Sequence, residues 1–119
     1  MDRKPAQSFK DLVVWQKAHQ MVLSIYRTTK NFPKDEMYGL TSQVRRSSSS
    51  VAANIAEAFK KRSAPDKLRI LNIAQGSLSE TEYHVLLAAD LNYAEMEFNQ
   101  ECLAEVNRLL EAYMKAIRR

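Results

Sequence analysis

The fold is decided by residues 44–66, which read VRRSSSSVAANIAEAFKKRSAPD. Val44, Val51 and Ile55 recur at the spacing that places side chains on one face of an α-helix. Residues 63–66 (SAPD) then supply a capping serine, a proline suited to a first helical turn and an acid near a helix N-terminus. Because one helix ends where the next begins, the two must fold back as antiparallel neighbours.

The same apolar spacing extends outward in both directions and predicts four helices. Pro33 ends the first helix, and Asn92 suits the C-terminal cap of the third. The predicted helices cover about residues 11–31, 35–61, 63–91 and 95–117. Short connections between long helices favour an all-α fold, an antiparallel up-down-up-down four-helix bundle over residues 11–119 that follows an N-terminal extension of residues 1–10.

The composition agrees with a single helical domain. A chain of 119 residues with two glycines and three prolines has few of the turn residues that a β-rich fold needs. No apolar run reaches the roughly 20 residues of a membrane helix, and the first residues lack the apolar segment of a signal peptide. The single cysteine, Cys102, has no partner for an internal disulfide. We therefore expect a cytoplasmic protein with no membrane association.

An antiparallel hairpin that turns near Ser63 brings residues level when their numbers add to about 126. This register places Ser50 opposite Gly76 and predicts close packing of small residues there. It also pairs Glu57 with Arg69 and Asn54 with Asn72, and it places Glu80 and Glu82 level with Arg46 and Arg45. We expect a polar seam between the second and third helices, formed by Arg45, Arg46, Asn54, Glu57, Arg69, Asn72, Glu80 and Glu82. The alternative for Arg45 and Arg46 is that they bind phosphates.

Positive charge is concentrated in the first half of the chain. Residues 1–62 hold twelve Lys/Arg against five Asp/Glu, and residues 63–119 hold six against nine. In an up-down-up-down bundle, many of these cations converge on the end that carries both termini. This basic end consists of Lys4, Lys10, Lys60, Lys61, Arg62, Lys67, Lys115, Arg118 and Arg119.

Helix dipoles explain part of the basic end, because cations stabilise helix C-termini. They do not explain Lys4, Lys10 or Lys67, which lie at or before predicted helix starts. The alternatives are therefore attraction of nucleic-acid phosphates and simple dipole complementation.

No pattern of catalytic or metal-ligating residues is recognisable. His19 and His84 lie on different helices, and Glu80 with His84 supplies only two potential ligands, which favours a polar surface pair over a metal site. The serines at 47–50 favour close helix packing, with hydroxyls bonded to carbonyls one turn earlier, over a nucleophile. We predict no catalytic residue, no metal, no cofactor and no small-molecule substrate.

Three segments in this order carry a family resemblance: DLVVWQKA at 11–18, VRRSSSSVAANIAEA at 44–58 and IAQGSLSETE at 73–82. Together they resemble the bacterial four-helix-bundle proteins encoded in intervening sequences of 23S ribosomal RNA genes, over about residues 9–117. One departure is Ala58, where the family usually has glycine. The resemblance implies a ring-like homopentamer with a link to nucleic acid, and related bundles act as basic accessory subunits of retroelement reverse transcriptases.

Two functions follow as hypotheses. The first is a non-enzymatic oligomer that associates with RNA or DNA without reading sequence, and the second is a protein-interaction adaptor with no nucleic-acid role. Self-association is also suggested by apolar residues outside the helical stripes, namely Val13, Tyr26, Ile70, Ile73, Leu87 and Phe98.

Overall fold

The computed structural model describes residues 5–119. Four helices follow one another: α1 (Val13–Thr29), α2 (Leu40–Lys60), α3 (Ala64–Asp90) and α4 (Glu97–Arg118). Short 3-10 turns at Phe9–Asp11 and Lys34–Glu36 precede α1 and α2. This part of the chain contains no β-strand, and the all-α prediction is confirmed.

Each helix packs against its neighbours in sequence, and α1 also packs against α4. Two polar contacts along a pair of helices give its direction. Between α2 and α3, the Ser50 hydroxyl lies 2.9 Å from that of Ser77, and the Ser47 hydroxyl lies 2.8 Å from that of Thr81. Between α1 and α4, Lys17 Nζ lies 3.8 Å from the Glu105 carboxylate, and Thr28 Oγ1 lies 3.2 Å from Asn99 Oδ1. These pairings are antiparallel, so the helices form an up-down-up-down ring about one core.

The core consists of the apolar stripes that the sequence spacing predicts. Ile25, Ile55, Leu71 and Leu110, one from each helix, are fully buried. Burial of these side chains at the centre of the ring supplies the hydrophobic contribution to folding stability. Most of the charged side chains lie outside these stripes and are exposed.

Capping hydrogen bonds determine where α3 begins and where it ends. The Ser63 hydroxyl accepts a hydrogen bond from the Asp66 amide at 3.2 Å, which is an N-cap of α3. Asn92 has a positive φ of 59°, while its amide and that of Tyr93 each donate to α3 carbonyls at 3.0 Å. This is a Schellman ending, and the predicted Asn92 cap is confirmed.

The start of α2 differs from the prediction of about residue 35, because α2 begins at Leu40. Lys34–Glu36 forms a 3-10 turn, and the Glu36 carboxylate accepts a hydrogen bond from the Leu40 amide at 3.1 Å. A Cβ on Gly39 would lie 2.6 Å from that carboxylate oxygen. Glycine at this position therefore leaves room for Glu36 to satisfy the free amides at the start of α2.

Two other starts are also later than predicted. Ser8 and Asp11 form a capping box, in which the Asp11 carboxylate accepts from the Ser8 amide at 3.1 Å and Ser8 Oγ accepts from the Lys10 amide at 3.1 Å. Because this box caps the 3-10 turn, α1 itself begins at Val13. Helix α4 begins at Glu97 rather than near Glu95.

Gly76 does not mark a close helix approach, which corrects the sequence interpretation. It is exposed in the middle of α3, and a Cβ there would have no neighbour within 4 Å. The small-residue contact lies one position further along, at Ser77. Gly76→Ala is therefore expected to raise the free energy of unfolding by about 0.5–1 kcal/mol, since alanine reduces the entropy lost on helix formation. Chemical denaturation measures this change, and a loss of stability would contradict the open environment.

Candidate nucleic-acid interface

The topology brings the start of α1, the end of α2, the start of α3 and the end of α4 to one end of the bundle. Eight of the predicted basic-end residues belong to these segments: Lys10, Lys60, Lys61, Arg62, Lys67, Lys115, Arg118 and Arg119. The ninth, Lys4, lies outside the described residues.

Two of these cations have structural partners. Lys67 Nζ donates to the carbonyls of Ala58 at 3.2 Å and Phe59 at 2.9 Å, and it lies 5.6 Å from the centre of the Phe59 ring. Lys67 therefore neutralises the C-terminal end of α2, so its charge at the start of α3 has a local cause that the sequence did not indicate. Lys61 Nζ lies 3.8 Å from the Glu57 carboxylate, one helical turn away.

The other cations of this end form no ion pair within residues 5–119. They are exposed, and they come from the segment before α1 and from the ends of α2 and α4: Lys10, Lys60, Arg62, Lys115, Arg118 and Arg119. Their positive charge is therefore available to a partner from outside the bundle.

The predicted polar seam does not form as expected. Glu57 contacts Lys61 instead of Arg69, and Arg69 Nε lies 3.8 Å from the Asp66 carboxylate. Neighbours three or four residues apart on one helix thus compete successfully with partners across the hairpin.

Other seam residues also contact their own helix or another neighbour. Asn54 Nδ2 donates to the Ser50 carbonyl at 2.8 Å and the Ser50 hydroxyl at 3.0 Å rather than to Asn72, which is exposed. Arg45 turns towards α1, where its Nε donates to Thr29 Oγ1 at 2.8 Å. Arg45 therefore does not pair with Glu82, which is exposed on α3.

Arg46 and Glu80 are brought together in part. Both are exposed and line the same shallow groove between α2 and α3, together with Ser47, Ser50 and Ser77. Their charged groups do not form an ion pair. The predicted register is thus close to the observed one, and the two residues share a groove as expected, although they form no ion pair.

Buried hydroxyl groups join α2 and α3 where ion pairs were expected. Thr81 Oγ1 donates to Ser47 Oγ at 2.8 Å, and Ser47 Oγ lies 3.3 Å from His84 Nδ1. All three side chains are buried, so His84 is not part of a surface pair with Glu80 as the sequence suggested. These buried hydrogen bonds fix the register in which α2 packs against α3.

A second buried polar contact, which no sequence pattern indicated, joins α1 and α4. Asn99 is buried, its Nδ2 donates to Ser24 Oγ at 3.0 Å, and its Oδ1 accepts from Thr28 Oγ1 at 3.2 Å. Asn99 lies four residues before Leu103, on the extension of the apolar stripe of α4. A polar residue on that stripe is the signal that would have revealed it.

At the end of the bundle opposite the basic end, the Tyr93 hydroxyl donates to Glu36 Oε2 at 2.6 Å. This bond lowers the pKa of Glu36, as does the bond from the Leu40 amide, and it raises the pKa of Tyr93. The contribution of Glu36 to stability is present above its ordinary pKa and is lost as the pH falls through its lowered pKa. That of Tyr93 is present below its ordinary pKa and is lost as the pH rises through its raised one.

The remaining chemistry is sparse within the described residues. No group of three His, Cys, Asp or Glu side chains there could hold a metal ion. Burial raises the pKa of the half-buried Cys102 thiol, and nearby Glu105 and Glu101 raise it further. A raised pKa makes a thiol a poorer nucleophile at neutral pH. No helix in this part of the chain is long and apolar enough to cross a membrane.

Large apolar side chains remain exposed on the bundle surface. The sequence suggested six apolar residues for self-association, and two of them are not exposed: Ile70 is buried, and Leu87 packs against the core. The exposed set contains Val13, Leu23, Tyr26, Met37, Tyr38, Ile73, Tyr83, Leu86, Leu91 and Phe98. Tyr83 and Leu86 also line a surface cleft of about 470 Å³ between α3 and α4.

These features define the class, an antiparallel four-helix bundle with exposed charges and exposed apolar groups on its surface. Residues 10–115 match the model of the 23S rRNA-intervening sequence protein family, and the chain belongs to that family. This confirms the resemblance found in the sequence.

One similar structure is that of a protein with unknown function from the S23 ribosomal protein family of Bacteroides thetaiotaomicron VPI-5482. The two chains are 30% identical with a TM-score of 0.77, over 87% of this chain and 99% of the other. No curated protein matches the sequence.

Proposed function

We propose that this protein is a non-enzymatic oligomer that associates with the backbone of RNA or DNA through its basic end. The observation that supports the proposal is the convergence of exposed cations without ion pairs, including Lys60, Arg62 and Arg118. Such a cluster attracts phosphates without distinguishing bases. Binding of this kind weakens as salt increases, because each neutralised phosphate releases a counterion.

Oligomerisation strengthens this mechanism. A single narrow end of a bundle 46 Å long and 29 Å wide reaches few phosphates. Several copies that present the same end to one strand multiply the contacts, since every contact after the first is intramolecular. We propose the homopentamer that the family resemblance implies, with subunit contacts made by exposed apolar side chains of α3, among them Tyr83 and Leu86.

Lys60→Ala/Arg62→Ala is expected to weaken binding to labelled RNA and duplex DNA alike. Both side chains are exposed at the end of α2, so the fold should not change. Affinity at low salt should fall about tenfold, and the logarithmic salt slope for duplex DNA should drop by about 0.9 for each phosphate that is no longer neutralised, multiplied by the number of copies engaged. Fluorescence anisotropy at several salt concentrations measures both quantities.

The charge-matched control is Arg27→Ala/Arg108→Ala, which removes two exposed cations outside the basic end. This control should change affinity much less, since it lowers the net charge of the protein by the same amount but leaves the basic end intact. Equal losses for both variants would show that total charge, not the basic end, attracts nucleic acid. Absence of binding by the unmodified protein at low salt would favour the adaptor function.

A further inference from the structure

A cleft of about 610 Å³ opens at the end of the bundle opposite the basic end. It lies between the last turn of α1, the connecting segment 33–38 and the first turns of α2. Its volume falls within the range of about 300–1,000 Å³ that is typical of ligand-binding clefts.

The charge of the cleft has one sign. Lys30, Lys34, Arg45 and Arg46 line it, and its lining includes no carboxylate from the described part of the chain. The nearby Glu36 carboxylate is bound by the Tyr93 hydroxyl at 2.6 Å and by the Leu40 amide at 3.1 Å, and it does not line the cleft. The walls therefore favour an anionic ligand.

Arg45 is held in place before any ligand binds. Its Nε donates to Thr29 Oγ1 at 2.8 Å, its Nη2 donates to the Tyr26 carbonyl at 3.3 Å, and its guanidinium lies 4.6 Å from the centre of the Tyr26 ring. These bonds use two of the five N–H donors of arginine. The others can meet a phosphate at little entropic cost, because the side chain is already ordered.

The cleft also has an unusually exposed aromatic ring. Tyr38 is 92% exposed, whereas Phe32, which also lines the cleft, is buried. An aromatic ring in water beside several cations is the arrangement with which proteins bind single-stranded nucleic acid, since bases stack on the ring while phosphates meet the charges. A bound acidic peptide would need the cations but would not need a flat aromatic surface.

We propose that this cleft binds a single-stranded segment of RNA or DNA, with a base stacked on Tyr38 and adjacent phosphates held by the preordered Arg45 and by the other cations of the cleft, Lys30, Lys34 and Arg46. The site is distinct from the basic end and does not depend on it. Because bases in a duplex are already stacked on one another, the cleft discriminates single strands from duplexes, which the basic end does not.

The test uses Tyr38→Ala, Tyr38→Phe and the control His19→Ala, which removes an exposed aromatic ring of α1 that does not line the cleft and is not one of the exposed apolar residues. Binding of a labelled uridine oligonucleotide and of a duplex of equal length is measured by anisotropy. Tyr38→Ala should weaken single-strand binding about tenfold, and Tyr38→Phe should retain it because the ring remains. Duplex binding by Tyr38→Ala, and single-strand binding by His19→Ala, should stay within about twofold.

Lys34→Gln provides a second, electrostatic readout. It should lower the logarithmic salt slope for the single strand by about 0.7 for each phosphate that is no longer neutralised, whereas Tyr38→Ala should leave the slope unchanged. Unchanged single-strand affinity of Tyr38→Ala, or an equal loss for the duplex, would overturn the proposal. Displacement of the oligonucleotide by polyglutamate from both unmodified protein and Tyr38→Ala with equal efficiency would instead identify an acidic-protein site. These results do not depend on the outcome for Lys60→Ala/Arg62→Ala. If that variant bound nucleic acid normally, only the proposal for the basic end would be contradicted.

Discussion

Leu71→Ala is expected to lower the free energy of unfolding by about 2–5 kcal/mol. The Leu71 side chain is 0% exposed, on the face of α3 that meets the core of the ring. Truncation removes buried apolar surface and leaves a cavity that four packed helices cannot easily close. Urea denaturation monitored by circular dichroism measures the change, provided that protein concentration is held constant for an oligomer.

Ile73→Ala is the matched control, because it truncates a residue of similar size two positions along the same helix. Ile73 is 48% exposed, so its truncation should cost less than about 1 kcal/mol within one bundle. A loss at Ile73 as large as that at Leu71 would contradict this assignment of faces. If that loss disappeared on dilution to the monomer, Ile73 would instead be assigned to a contact between copies.

The core could be predicted from sequence because helical spacing reports burial directly. Ile55 and Leu71 lie on stripes that continue over several turns, and both are fully buried. Ile70 was assigned to the outside because it lies next to the main stripe, yet it is buried. Helix α3 packs against both α2 and α4, so its apolar face is wider than one stripe.

The helix ends show where local information is sufficient. Ser63 and Asn92 act through backbone groups within a few residues, and both roles were predicted. The start of α2 depends on Glu36, whose carboxylate is also held by Tyr93, 57 residues away. No local pattern contains that contact, and the predicted start was five residues too early.

The hairpin register was nearly right although its ionic contacts were wrong. Ser50 meets Ser77 and Ser47 meets Thr81, one or two positions from the predicted register. Short hydroxyl side chains reach only what lies beside them, so their partners follow from the register. Long charged side chains at the surface gain little from any one partner, and Glu57 and Arg69 take nearer ones on their own helices.

The two candidate interfaces also differ in how far the sequence could predict them. The basic end follows from topology alone, because helix order determines which termini meet. The cleft depends on the path of residues 33–38 and on the orientation of Arg45 towards Tyr26. The sequence paired Arg45 with an acid across the hairpin, and for that reason the aromatic cleft was not predicted.

Self-association gives the last prediction, which concerns the patch formed by Tyr83 and Leu86. These side chains are 59% and 49% exposed, and both line the cleft of about 470 Å³ between α3 and α4. Apolar side chains beside a cleft are typical of a protein contact, and a bundle of 119 residues presents such a patch at a cost in solubility unless it is covered. If copies of the chain meet here, a charge at its centre must either be desolvated or force the copies apart.

Leu86→Arg is therefore expected to convert the proposed oligomer into monomers at micromolar concentration. Loss of a central apolar anchor typically costs about 2 kcal/mol or more per interface, and in a ring this cost recurs at every contact. Light scattering coupled to size exclusion measures the mass, while circular dichroism verifies that the half-exposed position tolerates the change.

Ala53→Arg adds the same charge at an exposed position of α2 and should leave the mass unchanged. An unaltered mass for Leu86→Arg would exclude this patch from the subunit contact. A monomer that also lost affinity for duplex DNA would show that the basic ends act together, because avidity requires several copies on one strand.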